Sequence, residues 1–328
     1  MSADLSVRVA GLELKNPVVA GSGEATMDGD AIRAAVDAGA AAVVAKSTNE
    51  SEAAKRQLRD AEYVLLDERF EVLEWGAAPR TASLFCRSGL VDEPWERWLE
   101  TLVEADAYAR ARDAYVVPSL IVAEAEQAVR MAREVEQAGL RSLEVNVAAP
   151  HAAEAAAGAI RADIDVVRPI RDAVALPLTV KVRPEQVQAA VEAGADAVCL
   201  TTRELAFVPD LETRRPLLGT FAAYGGAWSL PLTLHHVAKA RLRHGADLSL
   251  IATNGVRNGL DVARCLLAGA SAVQMTSAVI TDGPIALTLA LTTLAEYLED
   301  QAADARDLIG NAADSVQTYE EVAMRSNA

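Results

Sequence analysis

Three short pieces, DAGAAAVV (Asp37–Val44), EAGADAVC (Glu192–Cys199) and LAGASAVQ (Leu267–Gln274), recur along the chain with one design. In each, a helical pattern stops at a glycine, and an apolar run begins shortly afterwards. Glycine reaches the left-handed backbone that ends a helix at little cost. A short apolar run without polar alternation marks a strand buried on both faces. A chain that repeats helix, glycine stop and buried strand builds helices around a parallel sheet.

The rest of the chain fills in that alternation. Val7 to Leu14, broken at Ala10-Gly11, predicts a short hairpin, and Pro17 to Gly21 a buried strand entering the turn Gly21-Ser22-Gly23. A helix over Asp28–Ala38, with Asp28 as its N-cap, leads to a strand over Ala41–Ala45 that ends in Lys46-Ser47-Thr48. Ser51 to Arg80 is irregular and charged, too long for a plain connection, and is expected to be a functional excursion or lid. A short strand over Thr81–Phe85 then enters the loop Cys86-Arg87-Ser88-Gly89.

Helix Trp95–Arg112 precedes strand Tyr115–Val122, and helix Glu124–Gln137 precedes strand Leu143–Asn146. Helix Asp163–Ala173 precedes strand Leu178–Val182, and helix Gln186–Ala193 precedes strand Ala197–Leu200. After an insertion, Arg203–Ser229, helix Leu232–His244 leads to strand Leu248–Thr253, and helix Leu260–Leu267 to strand Ala272–Met275. A last helix spans Pro284–Asp300, and the Ala-rich tail Gln301–Ala328 is expected to form a helix that closes the barrel or frays. Eight strands alternating with helices predict an α/β chain folded as a (β/α)8 TIM barrel, with an N-terminal β-hairpin and insertions at the C-terminal face of the strands. A doubly wound sheet is the alternative. With no internal boundary in the pattern, residues 1–328 are expected to form a single domain.

Composition sets limits on function. Hydrophobic residues make up 51% of the 328 and aromatics only 4%, so the core is built from Val, Leu, Ile and Ala. A net charge of −16 argues against nucleic acid or an anionic membrane as partner, since both need a basic surface. Met1–Ala10 lacks the apolar centre of a signal peptide, and no run reaches the ~18 apolar residues of a membrane span, so a cytoplasmic protein is expected. Cys86, Cys199 and Cys265 are far apart, which supports neither a disulfide framework nor an iron–sulfur or zinc site. His235 and His236 have no acidic partner at ligand spacing, and no metal site is expected.

The chemistry is concentrated where strands end. LEVNVAAPH (Leu143–His151) and TVKVRP (Thr179–Pro184) each run from a buried strand into polar residues, and in a parallel barrel that end carries the active site. Asn146 and Lys181 are thereby placed in one pocket. Lys46 and Lys181 both stand at strand mouths, where an ammonium without a partner is costly, so an anionic ligand between them is expected. Gly225-Gly226, Asn254-Gly255 and Thr276-Ser277 lie where barrels hold phosphate groups. Arg87, Arg183 and Arg203 are candidates to clamp a carboxylate.

These residues together resemble a family: the FMN-dependent dihydroorotate dehydrogenases, especially the class 1 enzymes, with the related barrel of dihydropyrimidine dehydrogenase. The likeness rests on GLELKNPVVAGSG, VVAKS, LEVNVAAP, TVKVRP, DLETRRPLL, YGGAWS and NGVRNGLDVARCLLAGASAVQM, in that order between Val7 and Pro284. It implies a barrel holding FMN, with Gly21 and Ser22 against the flavin ring, Lys46 and Ser47 near it, and Thr201 in the cofactor site. Asn146 would touch both flavin and substrate, and Lys181 would lie where a cation stabilises the reduced, anionic ring. Gly225, Gly226, Asn254, Gly255, Thr276 and Ser277 would hold the ribityl phosphate.

The departures from the family pattern fall on its substrate loops. Where class 1 enzymes read like NLSCPN, with the cysteine as base, this chain reads NVAAPH, with Ala149 at the cysteine's place and His151 at that of the second asparagine. Cys86, next to Arg87, and Thr202, followed by Arg203, stand where the family has asparagines. The expected function is therefore an FMN-dependent oxidoreductase that acts on a different small carbonyl- or amide-bearing substrate. Hydride passes to or from FMN N5, and the proton is exchanged with His151 or with Cys86, whose thiolate Arg87 would favour. Lys46, Cys86, Arg87, Asn146, His151, Thr202 and Arg203 make up the substrate set, with Lys181 as an electrostatic catalyst. The alternatives are a non-redox phosphate-binding lyase or isomerase, and a flavin-binding homologue without dehydrogenase activity. A separate electron donor or acceptor and a homodimer are the expected partners.

Overall fold

The computed structural model describes residues 3–49, 55, 59, 61–76, 78–121, 124–148, 164–318 and 321–322. Its centre is a parallel sheet built from β1 (Val18–Ala20), β2 (Ala42–Val44), β3 (Tyr115–Val117 with Ser119–Leu120), β4 (Leu143–Asn146), β5 (Leu178–Lys181), β6 (Ala197–Leu200), β7 (Ser249–Thr253) and β8 (Ala272–Met275). The hydrogen-bonded order runs β3-β2-β1-β8-β7-β6-β5-β4 and returns to β3. Both ends of the sheet are halves of one segment, divided at Pro118 because proline has no N–H to give the ladder. The Pro118 carbonyl still accepts from the Glu144 N–H at 2.9 Å, and Ser119 O accepts from the Thr48 N–H at 3.1 Å. The sheet therefore closes on itself as an α/β barrel, and the doubly wound alternative is set aside.

The repeated pieces do the work their pattern implies. After helix Gly29–Asp37, the Gly39 N–H bonds to Val36 O and the Ala40 N–H to Ala35 O, the paired closure of a left-handed helix stop. Helices Val187–Glu192 and Gly259–Leu267 end in the same way at Gly194 and Gly269. The backbone at Gly39, Gly194 and Gly269 has φ of +100°, +96° and +108°. Two residues beyond Gly39 the Ala41 N–H bonds to Val18 O, and Asp196 and Ser271 make the equivalent bonds to Leu178 and Leu250. Each stop thus delivers the chain into register beside its neighbour.

Helix Gly29–Asp37 carries the expected cap, with Asp28 Oδ1 accepting from the Ala31 N–H at 2.8 Å. The hairpin Val7–Val9 with Leu12–Leu14 turns through Ala10 and Gly11, both at positive φ, and its Val9, Leu12 and Leu14 line one cleft with Tyr115 and Ile251. Beyond helix Ile285–Gln301 the described residues include a short helix, Ala305–Leu308, and a turn at Ala313–Ser315, and the tail ties to the N-terminus through the Ala305 N–H and Asp4 O.

A second, antiparallel sheet stands over the C-terminal face of the barrel. Its strand order is Glu204–Ala206, Ala222–Gly225, Ser83–Arg87, Glu62–Leu66, Val72–Leu73. This corrects two expectations. The excursion over Ser51–Arg80 contains strands, and Cys86 and Arg87 lie within a strand, not in a loop, because Ser83–Arg87 pairs on both sides. Leu66, Phe85, Leu218 and Ala222 pack into a small apolar cluster of the sheet's own.

Candidate active site

The C-terminal ends of the barrel strands and the overlying sheet form an open cavity. Seven strand ends supply most of the residues expected there. Ser22 comes from the turn after β1, Lys46 and Ser47 from the end of β2, and Asn146 from β4. Lys181 comes from β5, and Thr201, Thr202 and Arg203 from the segment after β6. Asn254-Gly255 and Thr276-Ser277 complete the wall after β7 and β8. β4 and β5 are paired with Asn146 opposite Lys181, which is why two strand ends far apart in sequence meet.

The glycines serve the cavity indirectly. A Cβ on Gly21 would come within 2.2 Å of Thr276 Oγ1, so this turn can lie against β8 only as glycine. Gly255, at φ +86°, packs on the first turn of helix Leu230–His244, where a Cβ would be 2.4 Å from Leu230 N. Gly225 makes room for the Arg203 side chain, and Gly226 lines a smaller cleft that shares Gly255, Val256 and Ser277 with the main cavity.

Beneath the cavity the barrel interior is polar and continuously hydrogen-bonded. Ser22 Oγ lies 3.2 Å from Ser47 Oγ, which lies 2.9 Å from Ser119 Oγ. Ser119 donates to Glu144 Oε1 at 3.1 Å, Gln274 Nε2 donates to Glu144 Oε2 at 2.7 Å, and Lys181 Nζ donates to Gln274 Oε1 at 3.2 Å. Glu144 is fully buried, and Lys181 and Gln274 are nearly so. Asn146 Oδ1 accepts from the Ala148 N–H at 3.0 Å, which fixes its amide at the cavity wall.

Lys46 is not free to meet a ligand charge. Its Nζ lies 2.7 Å from Glu24 Oε1, and Glu24 also accepts from the Tyr63 hydroxyl and, at 3.1 Å, from the Gly89 N–H. Burial pushes the Glu24 carboxyl up, but the Lys46 charge, its hydrogen bond and the other two donors outweigh burial and hold it below its ordinary value. The pair links the turn after β1 to the loop Ser88-Gly89-Leu90 on the cavity's upper wall.

The substrate candidates on the second sheet are placed differently from expectation. Cys86 is fully buried and is absent from the cavity wall; its thiol contacts the Arg203 guanidinium, which does line the cavity. Burial pushes the thiol up against the opposing charge of Arg203, which keeps it in the neutral form. Arg87, expected to be the cation beside Cys86, instead pairs with Glu62 at 2.5 Å at the sheet surface. The reason is strand alternation: successive side chains leave opposite faces, so Cys86 and Arg87 cannot share one. His151, with Ala149, lies outside the described residues.

Sequence reasoning missed Glu24, Tyr63, Ser119, Glu144 and Gln274. Two of these carry a signal, since a carboxylate inside LEVN and an amide inside AVQM interrupt strands that are otherwise apolar. Glu24 and Tyr63 carry none, because their meeting depends on the second sheet.

The cavity suits FMN. Among the described residues, Asn254 Oδ1 and Thr276 Oγ1 are buried at its wall without hydrogen-bond partners, and the cavity offers hydroxyl, amide and ammonium groups to a polyhydroxylated, anionic ligand. A family model described as dihydroorotate dehydrogenase matches residues 78–298. The catalytic subunit of dihydroorotate dehydrogenase B (NAD(+)) from Thermoplasma acidophilum is 27% identical over 94% of this chain and 98% of its own length. That from Desulforudis audaxviator is 29% identical over 95% and 98%. Dihydroorotate dehydrogenase A (fumarate) from Lactobacillus delbrueckii subsp. bulgaricus is 31% identical over 56% and 62%. With a barrel, a strand-end cavity and a match across most of its length, the chain belongs to the dihydroorotate dehydrogenase family, whose members are flavin-dependent oxidoreductases with FMN as cofactor.

Proposed function

We propose that this enzyme uses FMN to oxidise or reduce a small carbonyl- or amide-bearing molecule other than dihydroorotate. The observation that carries the reading is the Lys46–Glu24 ion pair at 2.7 Å, which cancels a lysine charge that would otherwise meet an anionic substrate. Two further features support it: Cys86 is screened by Arg203, and Ala149 offers no titratable group where the family has its base. When bound, FMN supplies the hydride acceptor or donor.

In this reading Ser22, Ser47, Asn146, Lys181, Thr201 and the Asn254-Gly255 and Thr276-Ser277 pairs hold the cofactor, and Gly21, Gly225 and Gly226 allow the close approaches. Lys181 places a positive charge at the cavity floor, and Asn146, Thr202 and Arg203 orient the substrate. Of the two proton partners, Cys86 is the weaker because its thiol is neutral and screened, which leaves His151. Exposed Leu205, Phe207, Leu211 and Phe221 on the insertion favour a homodimer formed there. Electrons pass to or from a diffusing partner or a separate protein.

The test is anaerobic. The purified protein is loaded with FMN and desalted, and its visible spectrum is followed on adding dihydroorotate. Retained flavin that dihydroorotate does not bleach is the expected result. Rapid bleaching would refute the altered substrate, and failure to retain flavin would refute the cofactor site itself.

A further inference from the structure

Glu144 takes no part in the function proposed so far, yet it is a carboxylate at 0% exposure in the middle of the barrel. Such a group is costly to bury unless it is paired and fully hydrogen-bonded. Among the described residues no Lys, Arg or His lies within ion-pair distance of it. Its two oxygens instead accept from Ser119 at 3.1 Å and from the Gln274 amide at 2.7 Å, one partner on each oxygen. The Gln274 amide spans the gap to Lys181, receiving the ammonium at its oxygen and giving its N–H to Glu144. The amide dipole is thereby aligned head to tail between a cation and an anion.

We infer that Glu144 is a positioning residue for the flavin site, setting through Gln274 how much positive charge Lys181 presents to bound FMN. This rests on the proposed placement of FMN above Lys181. Reduced flavin and the adduct of flavin with sulfite both carry more negative charge than oxidised flavin, so both are stabilised by a cation at the cavity floor. In a low-dielectric interior the Glu144 charge offsets part of that cation. The barrel thus holds the flavin less oxidising than Lys181 alone would make it.

Glu144→Gln tests this, because it removes the charge while leaving groups that can still bond Ser119 and Gln274. Sulfite affinity is read from the bleaching of bound FMN, as the sulfur lone pair forms a bond to the flavin and the ring takes up the negative charge. Relative to the wild-type holoprotein, Glu144→Gln is expected to bind sulfite about tenfold more tightly, and its flavin to reduce at a more positive potential. Glu144→Asp keeps the charge and is expected to stay within about twofold of wild type on the same argument. Glu144→Met is a second uncharged variant, expected to move with Glu144→Gln, should that protein not accumulate folded.

Unchanged or weaker sulfite binding in a folded, FMN-loaded uncharged variant overturns the inference and leaves the cofactor site standing. So does a Glu144→Asp protein that behaves like Glu144→Gln, since shape and not charge would then be at work. A wild-type protein that retains no FMN overturns the underlying reading as well.

Discussion

At the scale of single residues, the Glu24–Lys46 pair decides most about the upper wall of the cavity. Its side chains are 20% and 5% exposed, so neither ion is well hydrated. Glu24→Gln strands the Lys46 charge but keeps an amide that can meet Tyr63 and Gly89. The expected loss near neutral pH is about 2 kcal/mol, below the full cost of stranding a buried charge. The sign with pH follows from the direction of the shift. The folded Glu24 carboxyl is held below its ordinary value of 4.5, so its contribution is present above that value and disappears as pH falls through the folded pKa. Urea unfolding of both proteins across acid pH checks this: the gap between them should close toward acid, and a gap that widens there would contradict the ionised pair.

At the scale of elements, the helix stops separate two effects of glycine that usually travel together. Gly139 ends helix Ala125–Gln137 at φ +77° with nothing among the described residues near its missing Cβ, so Gly139→Ala carries only backbone strain, about 1 kcal/mol. At Gly39 a Cβ would also come within 2.7 Å of Leu291 Cδ1, so Gly39→Ala is expected to cost about twice as much, with the excess measuring side-chain displacement. Denaturant titration of the two variants gives the comparison, and equal losses would show that Leu291 moves freely. These stops were legible because a glycine and an apolar run are local signals, and with them came the eight barrel strands and the meeting of Asn146 with Lys181. The second sheet was not legible: Ser83–Arg87 finds one partner strand nearby in sequence and the other in the insertion, and no local pattern encodes that pairing. Misplacing that strand is what put Arg87 beside Cys86 in the sequence reading. Glu144 and Gln274 were visible as polar breaks in apolar strands, but their bond needs the closed barrel.

At the scale of the whole molecule, the charge distribution makes a prediction that its composition alone would not. The chain has 31 basic and 47 acidic side chains, a net charge of −16, while the cavity is assigned an anionic cofactor. Steering by local cations could overcome that field, but most basic groups near the cavity are already matched. Lys46 is held by Glu24 at 2.7 Å, Arg80 by Asp282 at 3.4 Å and Arg257 by Asp261 at 3.1 Å, while Lys181 is coupled through Gln274 to Glu144. Arg203 contacts the Cys86 thiol and the Tyr63 hydroxyl and, among the described residues, has no carboxylate in ion-pair distance. One uncompensated guanidinium does not reverse a long-range field of this size. Raising the salt shortens the screening length from ~30 Å at 0.01 M to under ~10 Å above 0.1 M, which removes distant repulsion while leaving contacts inside the cavity nearly intact. The association rate of FMN with the apoprotein should therefore rise severalfold over that range, where a basic cofactor mouth would make it fall. Stopped-flow quenching of flavin fluorescence measures the rate directly. A rate that falls with salt would mean that Arg203 and Lys181 act on the incoming phosphate as free charges, and the matched pairs around the cavity would have to open before FMN enters.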